Sequence, residues 1–160
     1  MFDLREITLL SGGQTGADRA ALDFAIERGL SHGGWCPRRR RAEDGVIPDG
    51  YQLRETPSSH YSQRTEWNVR DSDATIVFSI KERLTGGTRL TFELARRLGK
   101  PVLHISRDEA DATVAAVNLR AFLDEQQVRT LNVAGPRASR EPGIGEFVYA
   151  VFTTAFRVSN

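Results

Sequence analysis

The run Ala74-Thr75-Ile76-Val77-Phe78-Ser79-Ile80 is apolar or β-branched at almost every position. A strand of that composition has both faces buried, which marks a parallel sheet covered by helices on either side. Shorter runs repeat the pattern at Ile7-Thr8-Leu9-Leu10, Gly34-Trp35-Cys36, Val102-Leu103-His104-Ile105 and Val128 to Val133. Between them, apolar residues recur at helical spacing. Ala17, Ala20, Ala21, Phe24 and Ala25 form one such face, and Gln63 to Asp71 suit a short helix. Further faces are Leu90, Leu94, Ala95 and Leu98; Ala115, Leu119, Phe122 and Leu123; and Ile144, Phe147, Val148, Val151, Phe152 and Ala155. Strands alternating with helices at this rhythm predict an α/β fold, a three-layer domain with a mostly parallel sheet of about five strands. The expected strand order is 2-1-3-4-5.

Punctuation fits the same plan. Thr15 has the chemistry of a helix N-cap, with Asp18 as the acidic partner of a capping box. Gly29 closes the first helix, and Gly99 with Pro101 closes the third. One segment, about 37–62, lacks a clear period and carries Pro37, Pro48 and Pro57. A stretch of that length is either functional or disordered.

At 160 residues the chain has the size of one domain, 1–160. Its 39% hydrophobic and 27% charged residues place it among globular chains. The charged start Met1-Phe2-Asp3-Leu4-Arg5-Glu6 is unlike a signal peptide, and no run of about 18 apolar residues occurs. The expectation is a soluble cytoplasmic protein with no membrane partner. Cys36 is the single cysteine, so neither an intramolecular disulfide nor a cysteine-cluster metal site forms, and no metal ligands are assigned. Net charge +1 argues against a nucleic-acid partner. Yet of 22 basic residues only Lys81 and Lys100 are lysines. Codon bias accounts for most of that excess; the arginines that matter are those placed as planar forks for an anion.

In an open α/β sheet, ligands bind outside the carboxyl ends of the strands. Ser11-Gly12-Gly13-Gln14-Thr15-Gly16-Ala17-Asp18 follows the first strand, and Thr85-Gly86-Gly87-Thr88 the third. Arg38 to Arg41 follow the second, and Asn132 to Ser139 complete the edge after the fifth. Glycine turns opening helices suit phosphate, because the backbone approaches closely and helix amides are free. Neither turn is a P-loop or a Gly-x-Gly-x-x-Gly fingerprint. Each also has a plain reading as tight strand-to-helix packing.

The first turn resembles the signature of the Rossmann-like SLOG superfamily and is similar to that of the DNA-processing protein A family. Trp35-Cys36-Pro37, Arg40-Arg41-Ala42-Glu43-Asp44-Gly45, Ile47-Pro48, Tyr51, Leu53, Glu55-Thr56, Arg64-Thr65, Asn68-Val69, Ser72-Asp73, Thr85-Gly86-Gly87-Thr88, Gly99-Lys100-Pro101 and Leu131 to Arg137 resemble the molybdenum carrier family. Family members carry glycine where Arg39 stands. The resemblance covers Leu10 to about Phe152. It implies a Rossmann-like ligand-binding domain, a homo-oligomer (dimer or tetramer), that holds molybdenum cofactor and delivers it to molybdoenzymes.

Such a ligand carries a phosphate, a flat pterin and an oxyanion-rich metal. Gly12, Gly13 and Gly16, with Thr15, are candidates for the phosphate; Gln14 belongs to the same turn. Gly86, Gly87, Thr88 and Thr91 would hold the molybdate end or a second phosphate. Arg40 and Arg41 would clamp the anion, Arg64, Asn68 and Arg137 lie at the same edge, and Asp18 or Glu93 would accept from the pterin amino group. The alternative is a nucleotide-binding enzyme of the lonely-guy type, hydrolysing the N-glycosidic bond of nucleoside monophosphates with Glu93 as its catalytic carboxylate. Against it, Arg89 and Leu90 stand where that motif has glycine and threonine. No catalytic residue is otherwise assigned. Cys36 is a low-pKa thiolate beside the arginines or a small buried apolar group. His104 reads as a satisfied core histidine, and Trp35 and Trp67 as ring-stacking or packing residues.

Overall fold

In the computed structural model, which describes residues 3–157, the apolar run forms strand β7 (Ala74–Ser79), buried at every position. The sheet around it is parallel, with β1 (Thr8–Leu10), β2 (Ser31–Gly33), β8 (Val102–Ser106) and β9 (Thr130–Ala134) in the order β2-β1-β9-β7-β8. Counted in chain order within this sheet, that is 2-1-5-3-4, which corrects the expected 2-1-3-4-5. The last strand lies in the middle because β9 pairs with both β1 and β7, Leu131 aligning with Leu9 and with Ala74. Its helix carries the most apolar face and belongs against the sheet centre. Placing the last strand first would give 3-2-1-4-5, the order of a dinucleotide-binding sheet.

Helices α1 (Ala17–Arg28), α4 (Ala112–Glu125) and α5 (Ile144–Ala155) pack together on one face. There Phe24, Phe78, Phe147, Phe152 and Phe156 form a chain of ring contacts with centroids 5.4–6.1 Å apart. On the other face α2 (Tyr61–Asp71) packs against α3 (Gly86–Arg97), and α3 against β7 and β8.

Three local expectations change. Thr15 is not the N-cap of α1: Gly16 is, at φ 83°, and Thr15 turns its hydroxyl to Glu43 instead. On α3 the inward residues are Thr91 and Ala95, while Leu90 and Leu98 are 63% and 44% exposed. The run at 34–36 does not supply the second strand of the sheet. Ser31–Gly33 joins the sheet as β2, whereas β3 (Trp35–Cys36) pairs with β6 (Arg54–Glu55) in a separate ribbon. Gly34 makes the break at φ 128°, so close to Ser11 that a Cβ would lie 2.2 Å from its carbonyl oxygen.

The 37–62 segment is ordered by its own small core. Cys36, Ala42 and Ile47 are buried beneath Tyr51 and Leu53, and β4 (Arg41–Ala42) and β5 (Gly45–Val46) close a short hairpin. Arg40 is the hub, donating to the carbonyls of Ile47, Pro48, Tyr51 and Leu53. The turn that aims it puts Arg39 and Arg40 at φ 67° and 54°, the left-handed region that favours glycine.

Candidate anion-binding cleft

A cleft of about 540 Å³ opens at the carboxyl ends of β7 and β9, its wall formed by Ser79 and by Ala134 to Arg137. These two central strands continue to opposite sides of the sheet, so the cleft lies where chain order reverses.

Helix α3 supplies one end. Its first amide bond runs from Arg89 to Thr85 (3.2 Å), and no side chain caps the terminus. The amides of Gly86, Gly87 and Thr88 are those a helix leaves without internal partners, at its positive pole. Gly87 faces open space, with nothing within 4 Å of where a Cβ would sit. Lys81, Arg83 and Arg140 line the cleft on this side.

Helices α1 and α2 supply the other end, with Gln14, Asp18, Tyr61, Arg64 and Thr65. Arg64 Nη1 reaches Asp18 Oδ2 at 3.1 Å, and the side chains are only 14% and 4% exposed. Burial pushes the Asp18 carboxyl up, against the pull of Arg64 and the amides of Gln14 and Gly12. The guanidiniums of Arg41, Arg64 and Arg137 sit 4.7, 5.4 and 5.3 Å from the Tyr61 ring centre.

The first glycine turn is already filled by the chain's own carboxylates. Asp18 accepts from the Gln14 amide at 3.2 Å. Glu43 accepts from Thr15 Oγ1, from the Ser139 amide (3.3 Å) and from Ser139 Oγ. The Ser139 and Thr15 hydrogen bonds hold the Glu43 carboxyl below its ordinary range. Gly12 and Gly13 face inward, the first toward Arg64 and the second toward Leu53 and Ile47. Gly16 abuts the Pro136 carbonyl and the Ala138 amide. Their missing side chains make room for protein.

Of the sequence candidates, the structure brings Gln14, Asp18, Arg64, Gly87, Thr88, Thr91 and Arg137 to the cleft. Gly86 lies beside it, facing Arg140. Arg40 is turned into the loop and does not clamp the cleft. Arg41 reaches the Ser59 carbonyl and the Tyr61 ring. Asn68 brackets Trp35, accepting from its amide at 2.7 Å and donating to its carbonyl at 2.9 Å. Glu93 pairs with Arg89 at 2.9 Å on the outward side of α3.

The sequence profile of the "Circularly permutated YpsA SLOG family" matches residues 9–156. The chain belongs to this family. Among solved structures, the chain is similar to a "Putative molybdenum carrier protein" from Syntrophus aciditrophicus SB. The two are 44% identical with a TM-score of 0.93, covering 96% of this chain and 97% of that one. No curated protein matches.

Within this SLOG-family cleft, sequence reasoning missed Tyr61, Thr65, Ser79, Lys81, Arg83, Arg140 and Glu141. Most lie just beyond β7 or β9, so the strand-end rule applied residue by residue would have found them. Glu141 accepts from the Ile80 and Lys81 amides at 3.4 and 3.3 Å, fixing the start of the cationic loop. From the same loop, the Lys81 carbonyl accepts from Ser79 Oγ, whose oxygen lies 2.7 Å from His104 Nε2. Burial draws the His104 imidazole below its ordinary value. Cys36 is buried, and that burial pushes its thiol up, which makes it the packing residue rather than a thiolate. Trp35 and Trp67 pack edge to face at 4.7 Å. Among the described residues no helix is long and apolar enough to cross a membrane.

Proposed function

We propose that this protein binds molybdenum cofactor, a phosphorylated pterin with molybdenum, and holds it for delivery to molybdoenzymes as a cytoplasmic homo-oligomer, a dimer or tetramer, without nucleic-acid partners. The observation that carries the reading is the cleft: an uncapped helix terminus with Lys81, Arg83 and Arg140 at one end, an aromatic ring among arginines at the other. The residues fit the group. Oxyanions match the free amides and cations at α3, and a flat ring matches Tyr61. Buried Gln14 Nε2 and Arg64 Nε have no hydrogen-bond partner, as expected of a floor that awaits an acceptor.

In this reading Gly86, Gly87 and Thr88 hold a phosphate or molybdate oxygen through the backbone, with Thr91 behind them. Lys81 and Arg140 neutralise its charge, Arg137 flanks the ring beside Tyr61, Arg64 and Gln14 meet the ring, and Asp18 orients Arg64. Gly12, Gly13, Thr15 and Gly16 act indirectly, by joining the loop to the wall of the cleft. The pterin would carry the molybdenum as cargo, and the protein's part would be to hold its anionic end.

The lonely-guy hydrolase would need its carboxylate in the cleft, and Glu93 is outside it. The deciding experiment purifies the native protein anaerobically, denatures it and analyses what is released. Oxidised-pterin fluorescence with molybdenum by elemental analysis is the expected result. Absence of both, with conversion of AMP to adenine and ribose 5-phosphate, would replace the carrier by the hydrolase.

A further inference from the structure

Gln14 is 5% exposed and lines the cleft. Its side-chain amide has only one workable orientation. Oε1 accepts from the Thr15 amide at 3.1 Å and from the Glu43 amide at 2.9 Å. Flipping the group would set its NH2 against two N–H donors, so the network fixes Nε2 as the end that faces neither. That nitrogen is buried and unpartnered, and so is Arg64 Nε nearby on the same floor. Buried donors left unmet are costly, and native structures keep few of them. The carboxylates that line the cleft are bonded elsewhere: Asp18 Oδ2 accepts from Arg64 Nη1 and the Gln14 backbone amide, and Glu141 from two backbone amides.

The floor of the ring end therefore holds two unmet donors, covered in the chain without ligand. We propose that Gln14 and Arg64 make it selective for a heterocycle bearing a ring carbonyl, an oxo-purine or a pterin-4-one, over one bearing an amino group at that position. A carbonyl oxygen accepts from Gln14 Nε2 or Arg64 Nε. An amino group there sets donor against donor and leaves both buried groups unmet. Glu43 enters the device from behind, since its amide helps lock the Gln14 side chain. Selectivity is thus built partly by Glu43, which does not itself line the cleft.

This inference rests on the reading of the cleft as a site for a phosphorylated heterocycle. Inosine monophosphate and AMP test it, being alike except for oxygen or amino at one ring carbon. Calorimetry on the ligand-free chain should find inosine monophosphate at least about ten-fold tighter than AMP. Gln14→Glu keeps an acceptor for the Thr15 and Glu43 amides but replaces the donor by an acceptor. It should abolish or invert the preference. Both affinities come from the same sample, so a partly unfolded variant does not alter their ratio. Gln14→Met, which removes one of the two donors, should narrow the preference at least several-fold. Equal or tighter binding of AMP by the wild-type chain overturns the proposal, as does an unchanged ratio in both variants. Ribose 5-phosphate separates the two levels. If it binds and neither nucleotide does, ring recognition fails while the anion cleft stands; if nothing binds, both fall.

Discussion

Arg64 and Asp18 form an ion pair at 3.1 Å beneath the cleft, joining α2 to the first turn of α1 across 46 residues of sequence. The pair also fixes Gly12, since a Cβ there would lie 1.8 Å from Arg64 Nη1. Removing one member leaves the other charge buried without a partner. Asp18→Asn or Arg64→Met should lower stability by about 3–5 kcal/mol, measured by urea unfolding. The double variant should lose clearly less than the sum of the two.

The two glycine turns should respond differently to alanine. Gly13 sits at φ 76° with Leu53 2.6 Å from a Cβ position, so Gly13→Ala should cost about 1–3 kcal/mol of stability by loosening the loop. Gly87 has open space, so Gly87→Ala should leave the melting temperature nearly unchanged and weaken phosphate-bearing ligands at least several-fold. Thermal melts beside calorimetry read both effects. Equal melting temperatures for the two variants would contradict this division.

Arg39 is held at φ 67°, where side chains other than glycine cost about 1–2 kcal/mol. Glycine's greater freedom in the unfolded chain offsets part of that gain. Arg39→Gly should therefore be neutral to about 1 kcal/mol more stable in urea unfolding. A loss above about 1 kcal/mol would mean that the guanidinium makes a contact outweighing the strain.

His104 gives a pH signature. Burial lowers its folded pKa below the ordinary 6.5, so the unfolded chain takes up its proton first as pH falls. The contribution to stability is complete above about pH 6.5 and is lost as pH falls through the lower folded value. From about pH 7 to about pH 5 the melting temperature of the wild-type chain should drop more than that of His104→Asn. The lowered Glu43, Asp44 and Asp71 carboxyls act in the same sense only below their ordinary range.

Much of this was legible locally. The boundaries of β7 and α5 follow from unbroken apolar runs and an uninterrupted helical face, and Gly29 ends α1 in the left-handed conformation its position implies. Strand order was not legible, because β9 reaches the centre through pairings with β1 and β7, both distant in sequence. The loop hid its core for a similar reason. Ile47, Tyr51 and Leu53 have no common period, and the Arg40 side chain gathers their carbonyls. For the cleft, the rule of strand ends located the edge, and residue type alone misled: Arg40 and Asn68 look like ligand groups but hold backbone. Arg140 and Lys81, exposed and unremarkable in sequence, line the cleft.

The central claim is that this cleft holds the phosphorylated pterin. Its most direct test is the pterin and molybdenum retained per chain after anaerobic purification, compared between the wild-type protein and a Lys81→Ala/Arg140→Ala variant of unchanged melting temperature. The account predicts both components in the wild type and at least a ten-fold loss in the variant. Equal retention by the two proteins would contradict it.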